Sequence, residues 1–479
     1  MNILLGTATF AFWMWLYPQA LSYQEQNQLF LFTWAYLGER LSLPGGGADW
    51  LSEFLVQFFY WRWAGALVMA LLCVLLQLGV WQAAKSALVP GKRGAYVLSL
   101  IPSLLCLVYF GDVEVLVSFL VALVGSVWLC PLFAKAGWHR LWLIPLGWWL
   151  LGPMVLVPVL VSALSGRKLQ DLIVFCFTLL VFYAGHRLLS PQYPLRDALF
   201  GLNYYRLVES LPALQVVIPA VTVLCILSCG WEWPLRRPAL AGSLTALVLL
   251  AGTVWGVRSA YDKDTYETLA YDYLIRHDRF AEVIARAEKY QPRNPVSACS
   301  VNYSLFREGQ LLDRMQEFYQ CGTGGLVLPS IRDNLSDITS AELLWMMGMP
   351  NITLQYYFDI QESIQNGRKS GRFLSRIAEC NIVNGWYDRA DKYLEILENS
   401  LCYRSWAKQK RALIRDEALV DADPVYSYLR HVRFQDDFIT VYDGLDLMMA
   451  ILYNQERNNI VAGQYYTAWQ RLKGKEAAQ

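Results

Sequence analysis

Residues 238–276 read PALAGSLTALVLLAGTVWGVRSAYDKDTYETLAYDYLIR. No charge interrupts this stretch before Arg258, and twenty such positions in a helix are long enough to cross a hydrocarbon core. From Thr265 onward the pattern changes to apolar residues spaced for one face of a helix, with acidic and basic residues between them. The chain therefore reads as two unlike parts joined near residue 260. Through Arg258 it carries 15 Lys and Arg and 10 Asp and Glu, whereas the remaining 221 residues hold 26 basic and 30 acidic groups. With 55% hydrophobic residues and a mean hydropathy of +0.28, the expected fold class is all-α. It comprises a polytopic transmembrane helical bundle over 1–258, followed by an irregular α-solenoid over 264–479. A net charge of +1 argues against a nucleic acid partner.

Apolar stretches at Met1–Ala20, Trp63–Ala84, Gly94–Gly111, Val113–Ala134, Leu141–Leu164, Leu172–Gly185, Ser210–Trp231 and Pro238–Val257 predict about eight spans, the first an uncleaved helix rather than a signal peptide. Ala198–Val208 reads as an interfacial or re-entrant piece. With Met1 inside, the inner connections carry Lys85, Lys92, Arg93, Lys135, Arg140, Arg187, Arg196, Arg206, Arg258 and Lys263. The outer connections carry Arg40, Arg62, Arg167, Lys168, Arg236 and Arg237. This excess places both termini, and with them the second half, in the cytoplasm. His139-Arg140 and His186-Arg187 read as interfacial anchors, Asp112 and Glu114 as surface residues of an outer turn, and Trp148, Trp149, Trp231 and Trp233 as belt or packing residues.

The first outer loop, 21–62, is acidic, with Glu25, Glu39, Asp49 and Glu53 against Arg40 and Arg62. Its centre, Leu43-Pro44-Gly45-Gly46-Gly47-Ala48-Asp49-Trp50, separates two stretches able to form amphipathic helices, Leu29–Leu41 and Trp50–Tyr60. Carboxylates beside a membrane cavity can bind a metal ion or act as a general base toward a lipid-linked substrate; they also simply keep a surface loop soluble. No spacing matches a specific metal motif. A first span, a long acidic outer loop with two interfacial helices and then a bundle together resemble the layout of polyprenyl-phosphate-sugar-dependent membrane glycosyltransferases. That resemblance implies a lipid-linked sugar as substrate and a catalytic acid in this loop, for which Glu39, Asp49 and Glu53 are the candidates. The loop departs from the pattern in lacking an adjacent pair of acids.

In the second half, paired helices are expected at Thr265–Arg276 with Phe280–Tyr290, Cys299–Glu308 with Leu311–Gln320, Ala341–Met347 with Ile352–Ser363, and Gly371–Val383 with Tyr387–Leu397. Within Leu374–Leu394 a small residue in the first helix, Gly385 at the turn and Ala390 in the second helix meet the requirement for close stacking, which resembles a degenerate tetratricopeptide repeat. Further helices are expected at Ala407–Leu419, Val425–Val432, Leu445–Glu456 and Ala462–Lys475. A solenoid suits the docking of a peptide or partner helix.

Motifs for chemistry are sparse. Cys321-Gly322-Thr323-Gly324-Gly325 lacks the Lys-Ser/Thr of a phosphate loop, His277 and His431 are far apart, and no cofactor is implied. Cys73, Cys106, Cys130, Cys176, Cys225 and Cys229 lie in apolar segments and are expected to pack between helices. Cys299, Cys321, Cys380 and Cys402 lack the paired short spacings of a zinc site. Pro44-Gly45-Gly46, the run Phe54–Tyr60 and Leu401–Lys408 resemble an uncharacterised family of multi-span membrane proteins from Bacteroidota. This resemblance implies a bacterial cytoplasmic (inner) membrane and brings no activity. The leading expectation is a membrane protein, contacting lipid, whose helical domain docks a protein partner or organises an envelope complex; the alternative is an enzyme using the first-loop acids on a lipid-linked sugar.

Overall fold

The computed structural model describes residues 1–87, 96–166, 169–189, 191, 194–201, 212–229, 238–328, 335–364, 367–433 and 444–476. Lys92, Arg93, Arg167, Lys168, Arg206, Trp231, Trp233, Arg236 and Arg237, with most of Ala198–Val208, lie outside the described residues. The fold is all-α, with no strand among the described residues. Contacts divide the chain into one unit of Met1–Glu25 with Phe32–Asp262 and a second of Gln26–Leu31 with Lys263–Gln479. The change of pattern near residue 260 thus coincides with a change of unit, but the second unit also takes six residues from the first loop.

The first unit contains α1 (Asn2–Ala11), continued by a π turn over Phe12–Leu16, then α2 (Pro18–Gln26), α3 (Trp34–Leu41), α4 (Gly46–Val56), α5 (Arg62–Ala87), α6 (Ile101–Tyr109), α7 (Val117–Lys135), α8 (Arg140–Leu151), α9 (Leu156–Gly166), α10 (Leu169–Leu189), α11 (Leu195–Phe200), α12 (Ala213–Cys229) and α13 (Pro238–Ala260). Five stretches are long and apolar enough to cross a membrane: Arg62–Ser86, Val117–Lys135, Gly137–Ser165, Leu169–Leu189 and Ala241–Ala260. Asn2–Leu16, Tyr96–Tyr109 and Ala213–Cys229 are shorter and also apolar.

Polar contacts define two ends of this bundle. At one end the Gln24 amide donates to the Val113 and Val115 carbonyls, both at 2.9 Å, and the Tyr23 hydroxyl donates to Glu114 at 3.3 Å. The Tyr109 hydroxyl donates to Gln215 at 2.9 Å, and the Gln215 amide donates to the Phe200 carbonyl at 2.6 Å. Tyr261, just after α13, lies 4.2 Å from Tyr17 between ring centres and donates to the Leu107 carbonyl at 3.1 Å. At the opposite end Tyr96 bonds to Asn2 and packs edge-on against Trp81, and Arg140 reaches Ser162 and Asp171.

The stretch 137–165 is not a single rod. A continuous helix would hold residues 140 and 162 roughly 33 Å apart, yet the Arg140 guanidinium donates to the Ser162 hydroxyl at 2.8 Å. The chain folds back at Gly152, whose φ of 62° and ψ of −144° lie in a region open essentially to glycine alone. Helices α8 and α9 therefore form a hairpin whose two open ends lie together.

The second unit contains α14 (Lys263–Arg276), α15 (Phe280–Lys289), α16 (Pro295–Arg307), α17 (Leu311–Arg314), α18 (Ile338–Met346), α19 (Pro350–Ser363), α20 (Gly371–Val383), α21 (Tyr387–Glu398), α22 (Arg404–Leu413), α23 (Glu417–Ala422), α24 (Pro424–Val432), α25 (Leu445–Gln455) and α26 (Ile460–Glu476). Successive helices from α18 to α22 pack against one another, with Ala378, Cys380 and Ala390 fully buried in the stack. The expected helix at Leu311–Gln320 is only one α turn followed by a 3-10 turn to Glu317, and Ala407–Leu419 breaks into α22 and α23. The unit closes on itself: α26 packs against α17, Asn459 donates to the Met347 carbonyl at 2.9 Å and Arg471 to the Leu312 carbonyl at 2.5 Å.

Candidate functional site

The first-loop acids separate into three environments. Helix α3 starts at Thr33, whose hydroxyl accepts the Tyr36 N–H at 3.2 Å, and this places Tyr36 and Arg40 on one face, four residues apart. Both reach Glu53 on α4. Its carboxylate is fully buried, accepts the Tyr36 hydroxyl, and accepts Arg40 Nε on the same oxygen at 2.9 Å. Burial pushes the Tyr36 phenol well above its ordinary range, and the neighbouring carboxylate adds to the shift. Burial also opposes the charge on Arg40, but Glu53, Tyr36 and Glu39 together outweigh it and hold the guanidinium more firmly protonated than usual. Arg40 further lies 5.0 Å from the Tyr36 ring centre.

Glu39, whose side chain is 63% exposed, only approaches Arg40, at 3.9 Å. Asp49 sits in the first turn of α4, where a carboxylate favours the positive end of the helix; its N–H donates to the Gly45 carbonyl at 3.1 Å and its carbonyl accepts Ser52 Oγ at 2.8 Å. The three expected residues thus do not converge on one point. Glu53 meets Tyr36 and Arg40, whose i, i+4 spacing on α3 is the one sequence signal for this pairing.

The glycine run has a different role from a simple break. Gly45 takes φ 79° and donates its N–H to the Trp148 and Trp149 carbonyls at 3.2 and 2.9 Å, while Trp149 Nε1 donates to the Leu41 carbonyl at 2.7 Å. A Cβ on Gly45 would come 3.4 Å from the Gly152 backbone, and one on Gly47 2.8 Å from the Leu150 side chain. The tip of the α3–α4 hairpin and the tip of the α8–α9 hairpin therefore meet backbone to backbone. The Gly45 N–H thus adds a donor to the last-turn carbonyls of α8, of which that of Trp148 also accepts the Gly152 N–H.

A second charged cluster lies at the base of α8–α9. Arg140 donates to Asp171 at 2.7 Å, and Ser162 donates to the same carboxylate oxygen at 2.9 Å. Both charged side chains are nearly buried, so Arg140 is tied into the bundle rather than serving only as an anchor. Asp171 is the lone acid in a long apolar stretch, which is the signal that singles it out. Cys176 is exposed, against the expectation that it packs between helices; the other five cysteines of the apolar half are buried.

In the second unit the polar groups form a network. Arg376 bridges Glu342 at 2.7 Å and Glu379 at 2.6 Å, Tyr357 donates to Glu342, and Tyr426 donates to Glu379 at 3.1 Å. Burial favours the protonated Glu342 carboxyl, but Arg376, Tyr357 and Arg372 together outweigh it and hold the pKa below the ordinary value. Arg372 donates to Asp272 and to Gln26, both at 2.8 Å, and the Leu29 N–H donates to the Lys369 carbonyl at 2.8 Å. Burial alone pushes the Cys299 thiol up to about 12, aside from a small opposing hydrogen bond, which leaves it a core residue rather than a nucleophile. Among the described residues no group of three or more His, Cys, Asp or Glu is placed to hold a metal.

A family model described as a family of unknown function (DUF6057) matches residues 1–474, and the chain belongs to that family. No curated protein and no solved structure matches the chain.

Proposed function

We propose that this member of a family without an assigned activity is a multi-pass protein of a bacterial cytoplasmic membrane whose helical unit docks a protein partner of the cell envelope. The outward faces of the first unit support the membrane reading. Leu244, Leu247, Leu250 and Trp255 along α13 are all more than half exposed, which water would not tolerate over a whole helix. Exposed Trp15, Trp61 and Trp63 lie toward one end of the bundle and Trp138 and Trp142 toward the other, as interfacial belts require.

One observation carries the docking role. The second unit exposes several large apolar side chains, Leu419, Val425 and Ile460 among them; on α25 two lie on one face, Leu447 and Ile451, 65% and 38% exposed and one helical turn apart. Such a stripe suits a partner helix. The test is Leu447→Glu with Ile451→Glu in the full chain, followed by mild extraction and cross-linking. The expected result is loss of a stoichiometric cross-linked partner at unchanged protein level. Identical cross-linked species with and without the substitutions overturn the role of this stripe.

The exposure of Glu39 favours a second reading, a lipid-carrier-dependent glycosyl transfer. A general base must reach its substrate, which the exposed Glu39 can do more readily than the buried Glu53. Glu39→Gln and Asp49→Asn would then abolish modification of a glycan or lipid, whereas normal glycans in both variants remove this reading.

A further inference from the structure

Resting on the membrane reading, we infer that the first loop and the helical unit face one aqueous compartment, outside the cytoplasm, with Met1 on the other side. The decisive feature is the α8–α9 hairpin. Arg140 before it, and Ser162 and Asp171 after it, are joined by bonds of 2.7–2.9 Å, so the chain leaves this hairpin at the bundle end where it entered. The hairpin makes no net crossing, whatever depth its tip at Gly152 reaches.

The remaining helices can be followed from end to end. Helix α1 starts beside Tyr96, and its continuation ends beside Tyr261, since Tyr17 and Phe12 both pack on that ring. Helix α5 returns to the Tyr96 end, where Trp81 meets Tyr96. Helix α6 ends at Tyr109, beside Gln215. Helix α7 starts beside Gln24 and finishes beside Arg140, whose guanidinium donates to the Ala134 carbonyl at 3.4 Å. Helix α10, with 21 residues, leaves Asp171 and is followed by α11, whose Phe200 carbonyl accepts Gln215. Helix α12 departs from Gln215, and α13 comes back: Gly242 lies near Val97, Gly256 near Val108, and Tyr261 near Gly111. After the first loop there are six crossings, an even number, so Tyr261 and the first loop share an end.

An independent observation agrees. Gln26–Leu31, part of the first loop, belongs to the same folded unit as Lys263–Gln479. Leu29 is buried in its core with Tyr271 and Phe373, and Arg372 holds Gln26. Segments that share one hydrophobic core share one compartment.

Loop charge then supplies the orientation. With the hairpin counted as no crossing, Lys85, Lys92, Arg93, Lys135, Arg140, Arg167, Lys168, Arg236 and Arg237 belong to the Met1 side by chain order. The other side retains Arg40, Arg62, Arg187, Arg196, Arg206, Arg258 and Lys263, together with the acids Glu39, Asp49, Asp112 and Glu114. The excess of basic residues marks the Met1 side as cytoplasmic. Read as one full span, 141–164 puts the second half in the cytoplasm; as a hairpin it puts it on the opposite side. A partner of the helical unit is therefore an extracytoplasmic protein.

Single cysteines at Asp112, Lys135, Ser165 and Asp388 in an otherwise cysteine-free full chain test this. A membrane-impermeant maleimide on intact spheroplasts should label Asp112→Cys and Asp388→Cys; Lys135→Cys and Ser165→Cys should label only after permeabilisation. Labelling of Ser165→Cys together with Asp112→Cys, or of Asp388→Cys together with Lys135→Cys, overturns the inference. Fusion of alkaline phosphatase after Gln479 in the natural cysteine background should be active, and an inactive fusion at normal abundance also overturns it. Release of the full chain by alkaline carbonate is a different result, one that removes the membrane reading itself.

Discussion

Helices α13 and α20 show how differently the two units use apolar residues. Along α13 the large side chains Leu244, Leu247, Leu250 and Trp255 point outward. Along α20 Phe373, Leu374, Ile377 and Ile382 are buried, while Arg372, Arg376 and Glu379, at helical spacing, meet charged or hydroxyl partners. The contrast teaches where each helix gets its orientation. A helix apolar on all sides is turned by close approaches, such as Gly256 against Val108; an amphipathic helix is turned by its polar face, because a buried charge left unpaired is costly.

The sharpest way to break this contrast is at the hairpin tip. Gly152→Val places a β-branched residue at φ 62° and ψ −144° and against the Gly45 backbone, costing about 1–3 kcal/mol in backbone strain before any clash is counted. The expected outcome is near-complete loss of monodisperse protein by size-exclusion chromatography of detergent extracts. Gly137→Ala is the control: its φ is 51° with no atom within 4 Å of a Cβ, so only roughly 1 kcal/mol is expected.

In the second unit Arg376→Met strands Glu342 and Glu379 without their shared cation. Breaking a buried pair from one side costs about 3–5 kcal/mol, and the network here is partly accessible, so the lower end of that range is expected in chemical denaturation of the full chain. A smaller effect follows pH. The folded pKa of Glu342 lies below its unfolded value near 4.5, so its contribution is fully present above that value and is lost as pH falls through the folded pKa. The thermal midpoint should drop more steeply with acid in the natural chain than in Glu342→Gln. The smallest effect is expected at the exposed pair Arg279 and Glu282, joined at 2.5 Å: Arg279→Ala should change stability by about 0.5 kcal/mol or less.

Candidate sites were legible to different degrees. Pro44-Gly45-Gly46-Gly47 marks a break by composition alone, and Asp49 after it marks the start of α4. The meeting of that break with Trp148, Trp149 and Gly152, about a hundred residues later in the chain, has no local signature. Glu39, Asp49 and Glu53 look equivalent as charges in a loop. Only their placement separates an exposed carboxylate from one saturated by Tyr36 and Arg40. Asp171 stands out as a lone acid among apolar residues, but its partner could not be named from spacing, since Arg140 lies 31 positions away.

The helical class, the change of character near residue 260 and the positions of most helices follow from periodicity and composition within a few turns of chain. That 140–166 doubles back, that Gln26–Leu31 folds with the distant second unit, and which carboxylates are paired emerge only once the chain is folded. Those outcomes depend on contacts between residues far apart in the chain, and a length of apolar helix is the same in sequence whether it runs on or turns back at a glycine.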